Sequence, residues 1–368
     1  MGYRPWNPVG IDTSRMTEIR AIDLFCGAGG LTSGFEREGL NVVAGIDAEP
    51  ACRFAYEENN RALFIERDVS TLLASDLDDL WGDATVRTLV GCAPCQPFST
   101  YTQGRIAGED DRWRLLDAFG RLVRETRPDI VSMENVASIL KHDVHRRFLS
   151  LLGEEGYQIE EHVVRCEEYG VPQKRRRLVL LASCRGTIQL LKPSEFGAET
   201  STVRDAIGLL PPLGPSDQDK DDPLHMASGL SPLNLERLRA SRPGGSWRQW
   251  EPGLVASCHK KQEGKGYGSV YGRMEWDKAA PTMTTQAYAF GSGRFGHPSQ
   301  DRALSLREMA ILQTFPPGYA FTPPGADIHF KTVGRMIGNA VPVQLGQVIA
   351  RSILKAVDAW KPTYDPAR

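Results

Sequence analysis

Near its start the chain runs Ala21-Ile22-Asp23-Leu24-Phe25, then Cys26-Gly27-Ala28-Gly29-Gly30, then a helical pattern from Leu31 to Glu38. An apolar run that breaks into glycines and restarts as a helix is the joint between a buried strand and a helix. Glycine there permits positive φ and lets a ligand approach the backbone. The pattern then repeats. Val42-Val43-Ala44-Gly45-Ile46 reads as a strand and Pro50 to Asn59 as a helix. Thr88-Leu89-Val90 is a third strand, Leu115 to Arg124 a helix, and Ile130-Val131-Ser132-Met133 another strand. Such alternation predicts an α/β fold with a doubly wound sheet and ligands at the carboxyl ends of its strands.

The texture changes near Lys192. To about Gly296 the chain is rich in Gly, Pro, Ser and polar residues, and an amphipathic pattern returns at Ser305. A last helix is expected over Val343 to Ala359. We therefore expect a tail over 1–17, a catalytic cofactor-binding domain over 18–191, an irregular insert over 192–296 and a return to the first domain over 297–368.

Chemistry-bearing residues gather at the predicted strand ends. Asp47 follows the second strand, where an acid would accept ribose hydroxyl protons. Asp68, expected at the end of a further strand, is placed to meet an adenine amino group. With the glycines they describe a pocket for an adenosine-containing cofactor, although a lone glycine turn is a weak signal and its spacing is not that of a dinucleotide site. Cys92-Ala93-Pro94-Cys95-Gln96-Pro97 follows the third strand. Pro94 and Pro97 stiffen a loop that presents Cys95. Three readings stand: a nucleophile, a C-x-x-C redox pair, or a structural cysteine. Zinc is disfavoured, because no second C-x-x-C and no suitably spaced histidine pair exists. Glu134 ends the strand after Met133, and Arg175 and Arg177 precede the apolar run Leu178 to Leu181. Strand alternation would point both arginines the same way.

Charge and cysteine usage narrow the setting. A net charge of −2 argues mildly against a protein that coats nucleic acid and leaves one basic face open. Seven scattered cysteines do not form a disulfide framework, which suggests a reducing compartment. Met1 to Glu18 has no signal-peptide run, and no stretch reaches the roughly 20 apolar residues of a membrane helix. A cytoplasmic, monomeric protein with no membrane partner and no metal is expected.

Six segments, in order, resemble the motifs of the C5-cytosine DNA methyltransferase family. They are Asp23 to Gly30; Pro94-Cys95-Gln96-Pro97-Phe98-Ser99; Glu134-Asn135-Val136; Gln173-Lys174-Arg175-Arg176-Arg177; Ser305-Leu306-Arg307-Glu308 with Leu312-Gln313-Thr314-Phe315-Pro316; and Ile337-Gly338-Asn339-Ala340-Val341-Pro342. The match spans about Arg20 to Ile353 and is weak between about Pro193 and Lys265. Two positions depart from the family pattern: Arg176, where many members carry an acid, and Ala48, where some carry an aromatic against adenine.

The resemblance implies a Rossmann-like fold with a target-recognition domain, bacterial or phage-encoded. It implies methyl transfer from S-adenosylmethionine, with S-adenosylhomocysteine as product, to C5 of a flipped cytosine in a specific double-stranded DNA sequence. Thiolate addition of Cys95 at C6 would make C5 enamine-like. Glu134 would hold N3 and the exocyclic amine and supply a proton. Arg175 would orient the base, and Arg177 would place a positive charge near the ring. Phe25, Gly27, Ala28, Gly29, Gly30, Asp47, Ala48, Asp68, Val69, Pro94, Asn339 and Ala340 fall where the family binds the cofactor. Thr100 to Asp111 would close on the DNA. Trp247, Arg248, Trp250, His259, Lys260, Lys261, Arg273 and Trp276 are candidate groove and phosphate contacts. A cognate restriction endonuclease or another defence system is an implied partner. The rivals are an RNA substrate, since one branch of the family acts on transfer RNA, a redox protein using Cys92 and Cys95, and a catalytically silent DNA-binding relative.

Overall fold

The computed structural model describes residues 18–94 and 109–360. Strands β1 (Ile19–Leu24), β2 (Asn41–Asp47), β3 (Leu63–Glu66), β4 (Val86–Gly91), β5 (Ile130–Val136) and β6 (Gln158–Arg165) are followed by the short β7 (Gln173–Lys174), then β8 (Arg176–Ser183) and β9 (Ala280–Pro281). The helices are α1 (Gly30–Arg37), α2 (Arg53–Asn59), α3 (Ala74–Trp81), α4 (Glu109–Thr126), α5 (Asp143–Glu154), α6 (Pro193–Phe196), α7 (Val203–Ile207), α8 (Pro232–Ala240), α9 (Ser257–Lys260), α10 (Leu306–Leu312), α11 (Phe330–Asn339) and α12 (Val343–Ala359).

Seven strands form one sheet in the order β3-β2-β1-β4-β5-β8-β6. The first five are parallel; β8 runs antiparallel to both β5 and β6. The order reverses between β1 and β4, so a crevice opens at their carboxyl ends. Leu24 pairs with Gly91, which sets the glycine turn beside the segment leading to Cys95. Because β8 is reversed, it begins at the edge where β5 ends. The register Val136 to Arg177 brings the basic motif to Glu134.

Successive strand residues face opposite sides, and the two cores divide accordingly. Ala21, Val42, Val90, Ile130, Val179 and Leu181 pack with α1, α10, α11 and α12. Ile22, Leu24, Leu89, Val131, Leu178 and Leu180 pack with α3, α4 and α5. Burial on both faces explains why these strands read as apolar runs in the sequence.

The expected elements are present with shifted limits. Pro50–Cys52 is a 3-10 turn before α2. Helix α4 begins at Glu109, six residues before the Leu115 expected, and the rest of the loop read as closing on DNA lies outside the described residues. The insert is more ordered than its composition suggested. Val203, Ile207, Leu224, Met274, Ala280, Met283, Ala287 and Phe295 join the first core. Leu238, Trp247, Trp250, Val270, Phe290 and Ala303 form a small core of their own.

Helix α12 closes the fold by lying against α1. A Cβ on Gly34 would collide with the Val343 carbonyl and come within 2.7 Å of the Gly346 Cα. Those contacts are with backbone and cannot swing aside. Gly34→Ala is expected to lower stability by about 1–3 kcal/mol, read from the urea midpoint. An unchanged midpoint would show that the two helices separate freely.

Candidate active site

The cofactor turn holds three residues in the left-handed region: Phe25 (φ 60°), Gly27 (φ 53°) and Gly29 (φ 87°). For Phe25 this conformation costs about 1–3 kcal/mol. It is imposed by two bonds, since the Phe25 and Cys26 amides both donate to the Ile46 carbonyl. β1 therefore ends at Leu24, one residue earlier than its apolar run. The Gly27 amide donates to Asp47 Oδ2 at 2.9 Å, and the Glu49 amide to Oδ1 at 2.9 Å. Burial raises the Asp47 carboxyl against these donors. A Cβ on Gly27 would meet nothing within 4 Å, so this edge of the turn is open beside the acid. Gly29 and Gly30 are instead crowded by the protein: Asn60, Tyr319 and Tyr56 surround the first, and the Val341 carbonyl the second.

Asp68 lies two residues beyond β3, where it caps a 3-10 turn. It accepts from the Ser70 hydroxyl (2.7 Å) and amide (2.8 Å), which hold its carboxyl below the usual value. Val69 turns its side chain into the core, while Ala48, Pro94 and Asn339 are exposed. The open Gly27 edge, the Asp47 and Asp68 carboxylates and exposed Asn339 fit S-adenosylmethionine, a cofactor with a ribose, an adenine amine and a cationic end.

Beneath the turn Asp23 is buried, accepting from the Thr32 hydroxyl at 2.7 Å; that hydroxyl also lies 2.9 Å from the Tyr56 hydroxyl. Burial is the first cause of an Asp23 pKa raised from 3.8 to about 7. The unfolded chain thus ionises Asp23 at a pH where the folded chain still holds the proton. Asp23 therefore subtracts stability as pH rises from about 4 to about 7, and the loss levels off above that. Asp23→Asn should remove this slope. Melting curves between pH 4 and 8 check it: a gap between variant and wild type that does not widen with pH would refute the assignment.

Glu134 is 2% exposed and is gripped from both neighbouring strands. From β8, Arg177 Nε approaches Oε1 at 3.0 Å, an ion pair without the alignment of a hydrogen bond. From the end of β4, the Cys92 thiol donates to Oε2 at 2.9 Å. Asn135 Nδ2 donates to the Ala93 carbonyl at 3.2 Å. Arg175 is also buried, at the break between β7 and β8 and not in the strand as expected. It donates to the Met283 carbonyl (3.2 Å) and the Ala340 carbonyl (3.1 Å), which ties the basic motif to the insert and to the last motif. Burial first, then the charge of Arg177, lowers its pKa to about 9, so it remains cationic at neutral pH. Sequence reasoning missed the Cys92–Glu134 contact. Only the C-x-x-C spacing singled Cys92 out. Cys95 itself lies outside the described residues.

The structure corrects part of the insert reading. Trp247, Trp250, His259 and Arg273 are buried, not groove contacts. Trp247 stacks on His259 with centroids 4.3 Å apart. Arg273 donates to the Leu238, Ser241, His297 and Gln300 carbonyls and pairs with Asp301. A segment so poor in aliphatic residues builds its small core largely from rings, and Arg273 ties it to residues 297–301. Arg248, Lys260 and Lys261 remain exposed.

Residues 19–355 match the family model for C-5 cytosine-specific DNA methylase. The chain is 51% identical over 340 residues to the Type II methylase M.HgiDII of Herpetosiphon aurantiacus, covering 92% of this chain and 95% of that one. It is 31% identical to the Type II methyltransferase M1.HphI of Haemophilus parahaemolyticus, with 91% and 86% covered. Among solved structures, a protein assigned as a DNA modification methyltransferase within an Escherichia coli prophage aligns with TM-score 0.70 at 21% identity, over 92% of this chain and 99% of that one. The Entamoeba histolytica methyltransferase EhMeth aligns with TM-score 0.60 at 14% identity, over 93% and 99%. These two likenesses concern the fold; the match along the sequence concerns the chemistry, and by it the chain belongs to the C-5 cytosine-specific DNA methylases, which take their methyl group from S-adenosylmethionine.

Proposed function

We propose that this enzyme methylates a cytosine flipped out of one specific duplex DNA sequence, with Cys95 attacking C6. The observation that carries the reading is the placement of Glu134. It is a buried acid at the carboxyl edge of the sheet, held by Arg177 and by Cys92, and Cys92 precedes Cys95 by three positions. Addition of the Cys95 thiolate forms the S–C6 bond and pushes electrons through the ring toward C5 and N3. Glu134 takes a proton from solvent as the base enters, passes it to N3 and holds the exocyclic amine. Arg175 and Arg177 offset the negative charge that develops on the base. S-adenosylmethionine, when bound, supplies an electrophilic methyl group. Once C5 carries the methyl group, solvent water takes the C5 proton, Cys95 leaves as thiolate, and N3 returns its proton to Glu134.

The cofactor pocket in this reading is lined by Phe25, Gly27, Asp47, Ala48, Asp68, Pro94, Asn339 and Ala340. Ala28, Gly29, Gly30 and Val69 shape it through backbone. The segment 192–296 reads the DNA, with exposed Arg248, Lys260 and Lys261 as phosphate contacts. Type II names among the relatives support a paired restriction endonuclease. The enzyme works as a cytoplasmic monomer; among the described residues no helix is long and apolar enough to cross a membrane.

Bisulfite sequencing of DNA from cells expressing the protein tests the reading. Protected cytosines should fall in one sequence context. Purified protein with labelled cofactor should label duplex DNA; label in RNA alone would overturn the proposal.

A further inference from the structure

We infer that Cys92 is a positioning residue for methyl transfer, holding Glu134 Oε2 so that Oε1 faces the base. The inference rests on the role given to Glu134 above and adds a residue to it. Arg177 approaches Oε1 through Nε without the alignment of a hydrogen bond, and a contact of that kind leaves the group able to rotate about its last torsion. A second hold on the other oxygen fixes the plane. Cys92 provides it at 2.9 Å.

The two oxygens are not equivalent. Oε2 accepts the thiol hydrogen, whereas Oε1 is buried without an aligned hydrogen bond among the described residues. A buried acceptor left in that state costs stability unless a ligand uses it. Oε1, although paired with Arg177 Nε, thus keeps its hydrogen-bonding capacity for the base. The origin of the hold is topological. Gly91 pairs with Met133, so the residue after β4 lies beside the residue after Met133. A thiol is a weak donor, so it aims the carboxylate without competing strongly for it.

The test compares Cys92→Ala, which loses the donor, with Cys92→Ser, which keeps it. Loss of one hydrogen bond to a charged group predicts about a tenfold or larger fall in the single-turnover methyl-transfer rate for the alanine variant. Serine should restore the rate to within about threefold of wild type. Cofactor affinity should be unchanged in both, and rates compared well below either variant's melting temperature separate aiming from folding. In a Glu134→Gln background the alanine change should cost little more, because there is no carboxylate left to aim. Equal rates for the two single variants, or a full additional loss in the Glu134→Gln background, would overturn the inference. Full activity of Glu134→Gln itself would overturn the role of Glu134, and the inference with it.

Discussion

Cys95→Ser is expected to lower methyl transfer about 10,000-fold or more, while duplex DNA and S-adenosylmethionine still bind. A thiol near its ordinary pKa of about 8.5 is already a few per cent thiolate at neutral pH. A serine hydroxyl supplies essentially no alkoxide there, and no neighbouring histidine base is evident in Gly91 to Ser99 to generate it. Without addition at C6, C5 stays a poor nucleophile and the bound methyl donor finds nothing to react with. In the proposed arrangement binding is spared, because the cofactor pocket is assigned to the β1 turn, Asp47 and Asp68, and DNA contact to the insert. Label transfer in single turnover and gel retardation with cognate DNA check the two halves. Turnover at the wild-type rate in the serine variant would remove Cys95 from the mechanism. A reversible Cys92–Cys95 disulfide without methyl transfer would favour the redox reading.

The largest effect on stability is expected at Glu308. This carboxylate is 1% exposed and receives both Arg302 amino groups at 2.7 Å; Arg302 is fully buried. It also accepts from the Ser305 amide at 2.8 Å, while Ser305 caps α10 in return. Burial alone would raise the Glu308 carboxyl, but Arg302, His297 and the Ser305 amide together hold it below the ordinary value. Glu308→Ala leaves the Arg302 charge buried without its counter-ion, at a cost of about 3–5 kcal/mol. Because the folded pKa is depressed, the stabilisation is present above the unfolded value and fades as pH falls through the folded one. The gap in melting temperature between wild type and Glu308→Ala should therefore narrow in acid. A variant that melts with the wild type at neutral pH would show that the cluster is not holding this junction.

Local sequence carried the elements whose pattern is local. The glycine turn sits at the end of β1 as its residues required, and the last helix runs over Val343–Ala359 as read. The direction of β8 was not legible, because periodicity reports which residues face the core and not which way a strand runs. β6 was missed for a related reason: an edge strand with Glu160, Glu161 and His162 on its faces lacks the apolar run that marks buried strands. Glu134 and Arg177 were legible one by one, but their pairing depends on the antiparallel register. The insert misled because tryptophan and arginine suit both a DNA contact and a small ring-built core.

The closure of α12 on α1 has a consequence for synthesis. Val341 and Val343 back Gly30 and Gly34, and Gln347 reaches Glu38 across 309 positions of chain. The turn that opens the proposed cofactor pocket therefore leaves the ribosome long before the wall that supports it, with the whole insert translated in between. A nascent or prematurely ended chain holds the glycines without their backing. The pocket's floor and its backing are thus completed only once the stretch after the insert has been made.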